Sequence, residues 1–215
     1  MASISLKFPD GNVKEFAAGT TPEDVAKSIS ISLGKKAVAA KLDGELIDNL
    51  TPIAHDGSIE IVTKSDEDGL TVLRNTTAAL VRIALKKEFP AIRLGEVSAD
   101  EDGFYVDTDK DDQQVSVDEL DAIAVIVEKL IADKAAIERI AVSKDDALAK
   151  AKDDPYTTDL IKAVAGDQVN FLKIGDHEIL SDGAQLANTG DVKKFKLLSV
   201  AGAYWQGKSS NPVSY

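Results

Sequence analysis

The sequence predicts an α+β protein. Short runs of alternating apolar residues are separated by Gly- and Asp-bearing turns, longer stretches carry apolar residues at i, i+3, i+4 and i+7, and the two kinds mix without a βαβ repeat. In the first 64 residues, Ile4, Leu6 and Phe8 alternate as one face of a strand. Pro9-Asp10-Gly11-Asn12 is a tight-turn signal, and Val13 to Phe16 returns as a second strand. Thr21-Pro22-Glu23-Asp24 opens a helix: Thr is an N-cap, Pro fits the first helical position, and acids suit the positive end of the helix dipole. Val25, Ala26 and Ile29 give that helix an apolar face, and Gly34 is expected to end the segment. Ala37 to Leu42 and Glu45-Leu46-Ile47 read as strands around Asp43-Gly44, and Ile59 to Val62 is the closing strand. A sheet wrapped over one helix, the β-grasp or ubiquitin-like plan, fits this order best.

A polar break at Ser65-Asp66-Glu67-Asp68-Gly69 divides the chain into domains 1–64 and 65–215. Ser65 is expected to cap a helix, with Asp68 in the capping-box position, running to about Glu88 with Leu73, Leu80, Val81, Ala84 and Leu85 on its buried face. Phe89-Pro90 stops it. Gly103 to Val106 reads as a strand. Ser116-Val117-Asp118-Glu119 is a capping box before a second long helix, whose stripe is Leu120, Ile123, Ala124, Val127, Leu130 and Ile131. Ile137 to Val142 is a strand, and Ser143 caps a short helix. Val169 to Leu172, His177 to Leu180 and Phe195 to Val200 are further strands. This domain is therefore α+β as well, with long helices and an antiparallel sheet.

Composition excludes several chemistries. The chain of 215 residues has no Cys and two His, so it offers no disulfide framework, no thiolate zinc site and no cysteine nucleophile. The net charge is −12 and aromatic residues are 5 %, which count against non-specific phosphate binding and against a base-stacking platform. Folding a chain of this length buries roughly 70 % of its unfolded surface, enough for real cores. No apolar run reaches a membrane span, and the first residues lack a secretory signal's basic and apolar regions, so a cytoplasmic location is expected. Charge is unevenly shared: nine acids and seven bases up to Lys64, then 28 acids and 18 bases.

Phosphate loops, dinucleotide fingerprints and nucleophile elbows are absent from the sequence. His55 and His177 sit in turn contexts and read as exposed. Asp107, Asp109 and Asp111 have the spacing of a calcium loop, but Asp112 stands where its Gly belongs and Asp118 closes it too early, so a solvated acidic face is the simpler reading. No metal is expected. Lys193, Lys194, Lys196 and Lys208 form a small basic cluster that either meets a phosphate backbone or compensates neighbouring acids. Tyr204-Trp205 follows two small residues and is expected to close a core. The end, Asn211 to Tyr215, reads as a cut rather than a natural terminus.

Phe195-Lys196-Leu197-Leu198-Ser199-Val200-Ala201-Gly202-Ala203-Tyr204-Trp205, with Asp102-Gly103-Phe104-Tyr105, Asp68-Gly69-Leu70 and Asp43-Gly44-Glu45-Leu46, resembles the N-terminal region of bacterial threonyl-tRNA synthetases along the whole chain. The resemblance implies a TGS domain followed by the second additional domain, which edits in that family. Editing has a physical motive. A methyl group separates threonine from serine and gives a pocket only ~1–3 kcal/mol of discrimination, so a separate site hydrolyses Ser-tRNA(Thr). The family's editing site has a His-x-x-x-His pair, a Cys-x-x-x-His pair and a supporting Tyr, Lys and Asp. By the same resemblance, Asn75 and Ala79 stand at the first pair and Ser181 and Gln185 at the second. Val106, Thr157 and Ile179 stand for the Tyr, Lys and Asp. None is a base near neutral pH. The expected reading is an N-terminal fragment of a threonine--tRNA ligase whose editing domain is inactive, with no cofactor of its own. ATP and zinc belong to the catalytic domain of the parent. The parent is expected to be a homodimer, the fragment a monomer, with tRNA(Thr) bound through the parent and only weakly by Lys193, Lys194 and Lys196. Two alternatives stand beside this. One is a residual deacylase in which Asn75, Ser181 and Gln185 orient water and His177 or Asp182 supplies a base. The other is a non-catalytic tRNA acceptor-arm module or spacer.

Overall fold

The computed structural model describes residues 2–111, 113–200, 202–204 and 212–214. Two compact units are present: residues up to Thr76 with Gly183–Ala187, and Thr77–Asp182 with the residues from Asn188 onward.

The first unit is built on a five-stranded mixed sheet. Its strands are β1 (Ser3–Lys7), β2 (Val13–Ala17), β3 (Ala37–Leu42), β4 (Glu45–Asp48) and β5 (Gly57–Thr63), in spatial order β2-β1-β5-β3-β4. β1 and β5 run parallel and the other pairs antiparallel. Alternation decides which side chains enter the core: Ile4 and Leu6 of β1 join Val25, Ala40, Ile53 and Ile59. Helix α1 (Pro22–Ile29) begins as expected: Asp24 N donates to Thr21 Oγ1, and Thr21 N donates to Asp24 Oδ2, both at 3.3 Å. Gly34 does not end the segment. Ser30 caps a second helix, α2 (Ile31–Lys36), and Gly34 lies inside it, where a Cβ would sit 2.5 Å from Lys27 Cγ of α1. The glycine permits a close helix contact rather than a turn.

Helix α3 (Glu67–Glu88) starts two residues after Ser65, and the expected capping box does not form. Asp68 instead pairs with Lys41 at 2.7 Å, while Asp66 Oδ2 accepts from Thr63 N at 2.7 Å. Gly69 is required where it stands: a Cβ there would lie 2.0 Å from the Thr63 carbonyl oxygen. From Thr76 to Leu85 every residue of α3 is buried, so the one-sided stripe expected from its period is wrong over that stretch.

The second unit has two antiparallel sheets. One is β10-β9-β8, from β8 (Ile137–Ser143), β9 (Gln168–Ile174) and β10 (His177–Leu180). The other is β11-β12-β7-β6, from β6 (Arg93–Ala99), β7 (Phe104–Asp109), β11 (Gly202–Tyr204) and β12 (Pro212–Ser214). The sequence reading omits β6, whose run contains Gly95 and a bulge between Leu94 and Val97 that breaks the period of two. Helix α4 (Val117–Ala132) has the capping box foreseen: Glu119 N donates to Ser116 Oγ at 3.2 Å and Ser116 N to Glu119 Oε2 at 2.7 Å. Ile123, Val127 and Leu130 are its buried residues. Ser143 caps α5 (Lys144–Lys150), and α6 (Pro155–Ala163) follows an Asp154 N-cap that the sequence reading passes over. Phe195 to Val200 is not a strand: no ladder partner pairs with it, and its residues from Lys196 onward line a cavity. The Tyr204-Trp205 expectation and Lys208 lie outside the residues whose side chains are described.

Candidate functional site

In the first unit, two of the singled-out residues belong to a buried polar network. Gln185 is fully buried, and its Oε1 accepts from Thr76 Oγ1 at 2.9 Å. Thr76 Oγ1 in turn accepts from Leu186 N at 2.8 Å. Gln185 N donates to Asp48 Oδ2 at 2.8 Å, and Asp48 also accepts from Leu50 N at 3.0 Å and Thr51 Oγ1 at 2.8 Å. Asn75 Nδ2 donates to the Ala184 carbonyl at 3.1 Å. Gly183 has φ +67°, and a Cβ there would meet Asn75 Nδ2 at 2.6 Å. Asn75 and Gln185 therefore hold the 183–187 segment in place, and their amide groups are engaged in doing so.

In the second unit, Ala79 is fully buried on α3 and Ile179 is 7 % exposed on β10. Val106 is buried on β7 and lines a cavity of about 270 Å³ with Val81, Leu85 and Ile123. Ser181 is half-buried and its N–H donates to the Asn170 carbonyl at 2.9 Å. Thr157 and Ile179 come together at a second cavity, of about 220 Å³. The Thr157 hydroxyl lies 2.9 Å from the Leu94 carbonyl oxygen and 3.0 Å from Asp154 Oδ2, and donates to one of them at a time. Asp154 is 6 % exposed and its carboxylate accepts from the backbone N–H groups of Leu94, Tyr156 and Thr157.

Arg82 also lines this cavity, and the sequence reading misses it. It is 4 % exposed, and its Nη1 donates to the Leu180 carbonyl at 3.0 Å. Burial brings its pKa down to about 10, against an opposing pull from Asp182. The Asp182 carboxyl is pushed up by desolvation and held down by Arg82; the side chain lies at an exposed position, so the upward push is discounted by solvent screening. A sequence signal for Arg82 exists: it interrupts the apolar run Leu80 to Leu85.

His55 is exposed, with Nδ1 2.8 Å from the Asp56 carbonyl oxygen, whereas His177 is half-buried at the start of β10 rather than exposed. Asp109 is 6 % exposed and committed to Arg93 Nη2 and Tyr156 OH, both at 2.9 Å. Among the described residues no group of three or more His, Cys, Asp or Glu is placed to hold a metal ion. Lys193, Lys194 and Lys196 are exposed on irregular chain, Lys193 with φ 61°.

A model of the TGS domain matches residues 4–63, the span of the five-stranded sheet. The chain is 83 % identical over 213 residues to threonine--tRNA ligase of Levilactobacillus brevis, covering 99 % of this chain and 33 % of that protein. It is a relative of the threonine--tRNA ligases. The threonine--tRNA ligase of Lactiplantibacillus plantarum is 52 % identical over 219 residues, and that of Lacticaseibacillus paracasei 49 % over 211. These cover 99 % and 98 % of this chain, and 34 % and 32 % of the relatives. The chain thus spans about a third of the length of the threonine--tRNA ligases it matches. Among the described residues no helix is long and apolar enough to cross a membrane. Asn75, Ala79, Ser181 and Gln185, which the resemblance assigns to the editing motifs, include no imidazole and no thiol, so these side chains do not fit a zinc ion.

Proposed function

We propose that the chain is the N-terminal part of a threonine--tRNA ligase, divided near residue 65 into a TGS domain and an editing-type domain that does not hydrolyse Ser-tRNA(Thr). One observation carries this reading: the seven positions aligned with the family's editing residues hold no general base and no metal ligand, and several are spent on structure. Gln185 and Asn75 tether a chain segment, Thr157 bonds within the α6 N-terminus, and Ala79, Val106 and Ile179 are buried apolar groups. Water attacking an aminoacyl ester needs a group to accept its proton or a metal to acidify it. These positions offer neither. In the parent, the ligase reaction with ATP and a zinc-bearing catalytic domain, the homodimer, the cytoplasmic location and the main tRNA(Thr) contacts lie with the whole protein. The fragment is monomeric, and any hold on tRNA comes from Lys193, Lys194 and Lys196 against a net charge of −12.

The test is deacylation of Ser-tRNA(Thr) by the purified chain. The expected rate is that of buffer alone. A rate clearly above buffer that disappears in Ser181→Ala or Asn75→Ala overturns the proposal.

A further inference from the structure

Two nitrogens of Arg82, Nε and Nη2, are shut off from solvent and have no hydrogen-bond partner among the described residues. They are the two on the side edge of the guanidinium, whose parallel N–H groups match the two oxygens of a carboxylate. A buried guanidinium with an unmet edge is costly, because the charge has left water without a compensating partner. Asp182 acts on Arg82 through its charge without a hydrogen bond to this edge, and the two carboxylates that line the cavity are already engaged. Asp154 accepts backbone N–H groups at the α6 N-terminus, and Glu178 pairs with Lys150 at 2.7 Å. Lys86 donates to the Ile92 carbonyl. Around the cavity stand three cationic side chains, Arg82, Lys86 and Lys150, against two carboxylates. Its other walls include Leu94, Leu160, Phe171 and Ile179.

We infer that this 220 Å³ cavity is a binding site for a small free carboxylate with a short apolar body, its two oxygens meeting the Nε and Nη2 edge of Arg82 and its body lying against Ile179, Phe171 and Leu160. The edge is shielded from solvent, so binding requires the end of Arg82 to turn toward the cavity it lines. A planar two-oxygen group suits the edge better than a tetrahedral phosphate, and the apolar walls favour a hydrocarbon tail over a hydrated ion. The cavity shares Thr157 and Ile179 with the positions that the resemblance assigns to editing, but its ligand is a different one, since an aminoacyl ester carries no free carboxylate.

The test is isothermal titration of the full chain with butyrate and isovalerate, with butyramide and inorganic phosphate as comparison probes. Both carboxylates bind, butyramide and phosphate do not, and Arg82→Met weakens binding by at least about tenfold, or 1.4 kcal/mol. Ile179→Phe keeps Arg82 and fills the cavity. It weakens isovalerate by a similar factor, and it serves if Arg82→Met does not fold by circular dichroism. Absence of carboxylate binding to the unmodified chain overturns the inference. So does binding of phosphate or butyramide as tight as that of butyrate, and so does carboxylate binding unchanged in folded Arg82→Met or isovalerate binding unchanged in folded Ile179→Phe.

Discussion

Asp48 in the first unit is 1 % exposed and accepts hydrogen bonds from Leu50 N, Thr51 Oγ1 and Gln185 N. Arg82 in the second unit is 4 % exposed and donates to Leu180 O, and among the described residues one edge of its guanidinium has no partner. Both are charged groups withdrawn from water, with opposite outcomes. Around Asp48 the backbone and Thr51 supply donors at 2.8 to 3.0 Å, so the carboxylate fixes a chain reversal and the 183–187 segment together. Around Arg82 the two carboxylates lining the cavity have prior partners and Asp182 acts on the guanidinium only through its charge, so the Nε and Nη2 edge has no hydrogen-bond partner among the described residues. A satisfied buried charge identifies structure, and an unsatisfied one beside open space identifies a place for a ligand.

Asp48→Ala tests the satisfied side and has the largest expected effect. Three donors lose a charged acceptor, and the chain loses about 3–4 kcal/mol of stability by urea denaturation. A loss below ~1 kcal/mol would mean that water replaces the carboxylate and that the network is not what holds the segment. Gly69→Ala comes next. Its Cβ would meet the Thr63 carbonyl oxygen at 2.0 Å, which backbone atoms cannot yield cheaply, so about 2–3 kcal/mol is lost. An unchanged unfolding midpoint would show that the start of α3 shifts freely.

Arg82→Met has the opposite sign and sharpens the contrast. Replacing an unmet buried charge with an apolar chain of similar length leaves stability unchanged or raises it by about 1–2 kcal/mol. A large loss would show that Arg82 is as structurally committed as Asp48. Asp107→Asn is the smallest expected effect. Desolvation first, and Glu96 second, push the Asp107 carboxyl up from 3.8 to about 6. The folded state therefore holds this proton more tightly than the unfolded one, and its stabilising contribution is full below pH 3.8 and lost as pH rises through about 6. The variant should match the unmodified chain near pH 4 and melt higher at pH 7. A difference that does not change between those two pH values would remove Asp107 from the titration.

Local signals read well wherever a few neighbouring residues decide the outcome. The Thr21 and Ser116 capping boxes, the β1–β2 hairpin and the α4 stripe form as their sequences indicate. The misreadings each looked like a local signal that packing overruled: Gly34 lies against Lys27 of the preceding helix, Asp68 pairs with Lys41, and the Phe195 to Val200 run lines, from Lys196 onward, a cavity with Val81, Leu85 and Ile123. Strand β6 was hidden by its bulge, although Asp154-Pro155 announced α6 in plain form. Of the candidate site, the residue types at the seven aligned positions were legible, and so was the absence of Cys. Arg82 was visible only as an odd charge in an apolar run.

What the sequence determined by itself is the chemistry it lacks. Protonation and metal binding depend on residue type, and a chain with no thiol and two histidines cannot supply a Cys/His set however it folds. Only the tertiary structure decided which polar groups are satisfied. Asp48 and Gln185, which bond to each other, lie 137 residues apart, and the cavity beside Arg82 is a property of packing. Hydrogen-bond satisfaction is set by distances of about 3 Å between groups that only the folded chain brings together.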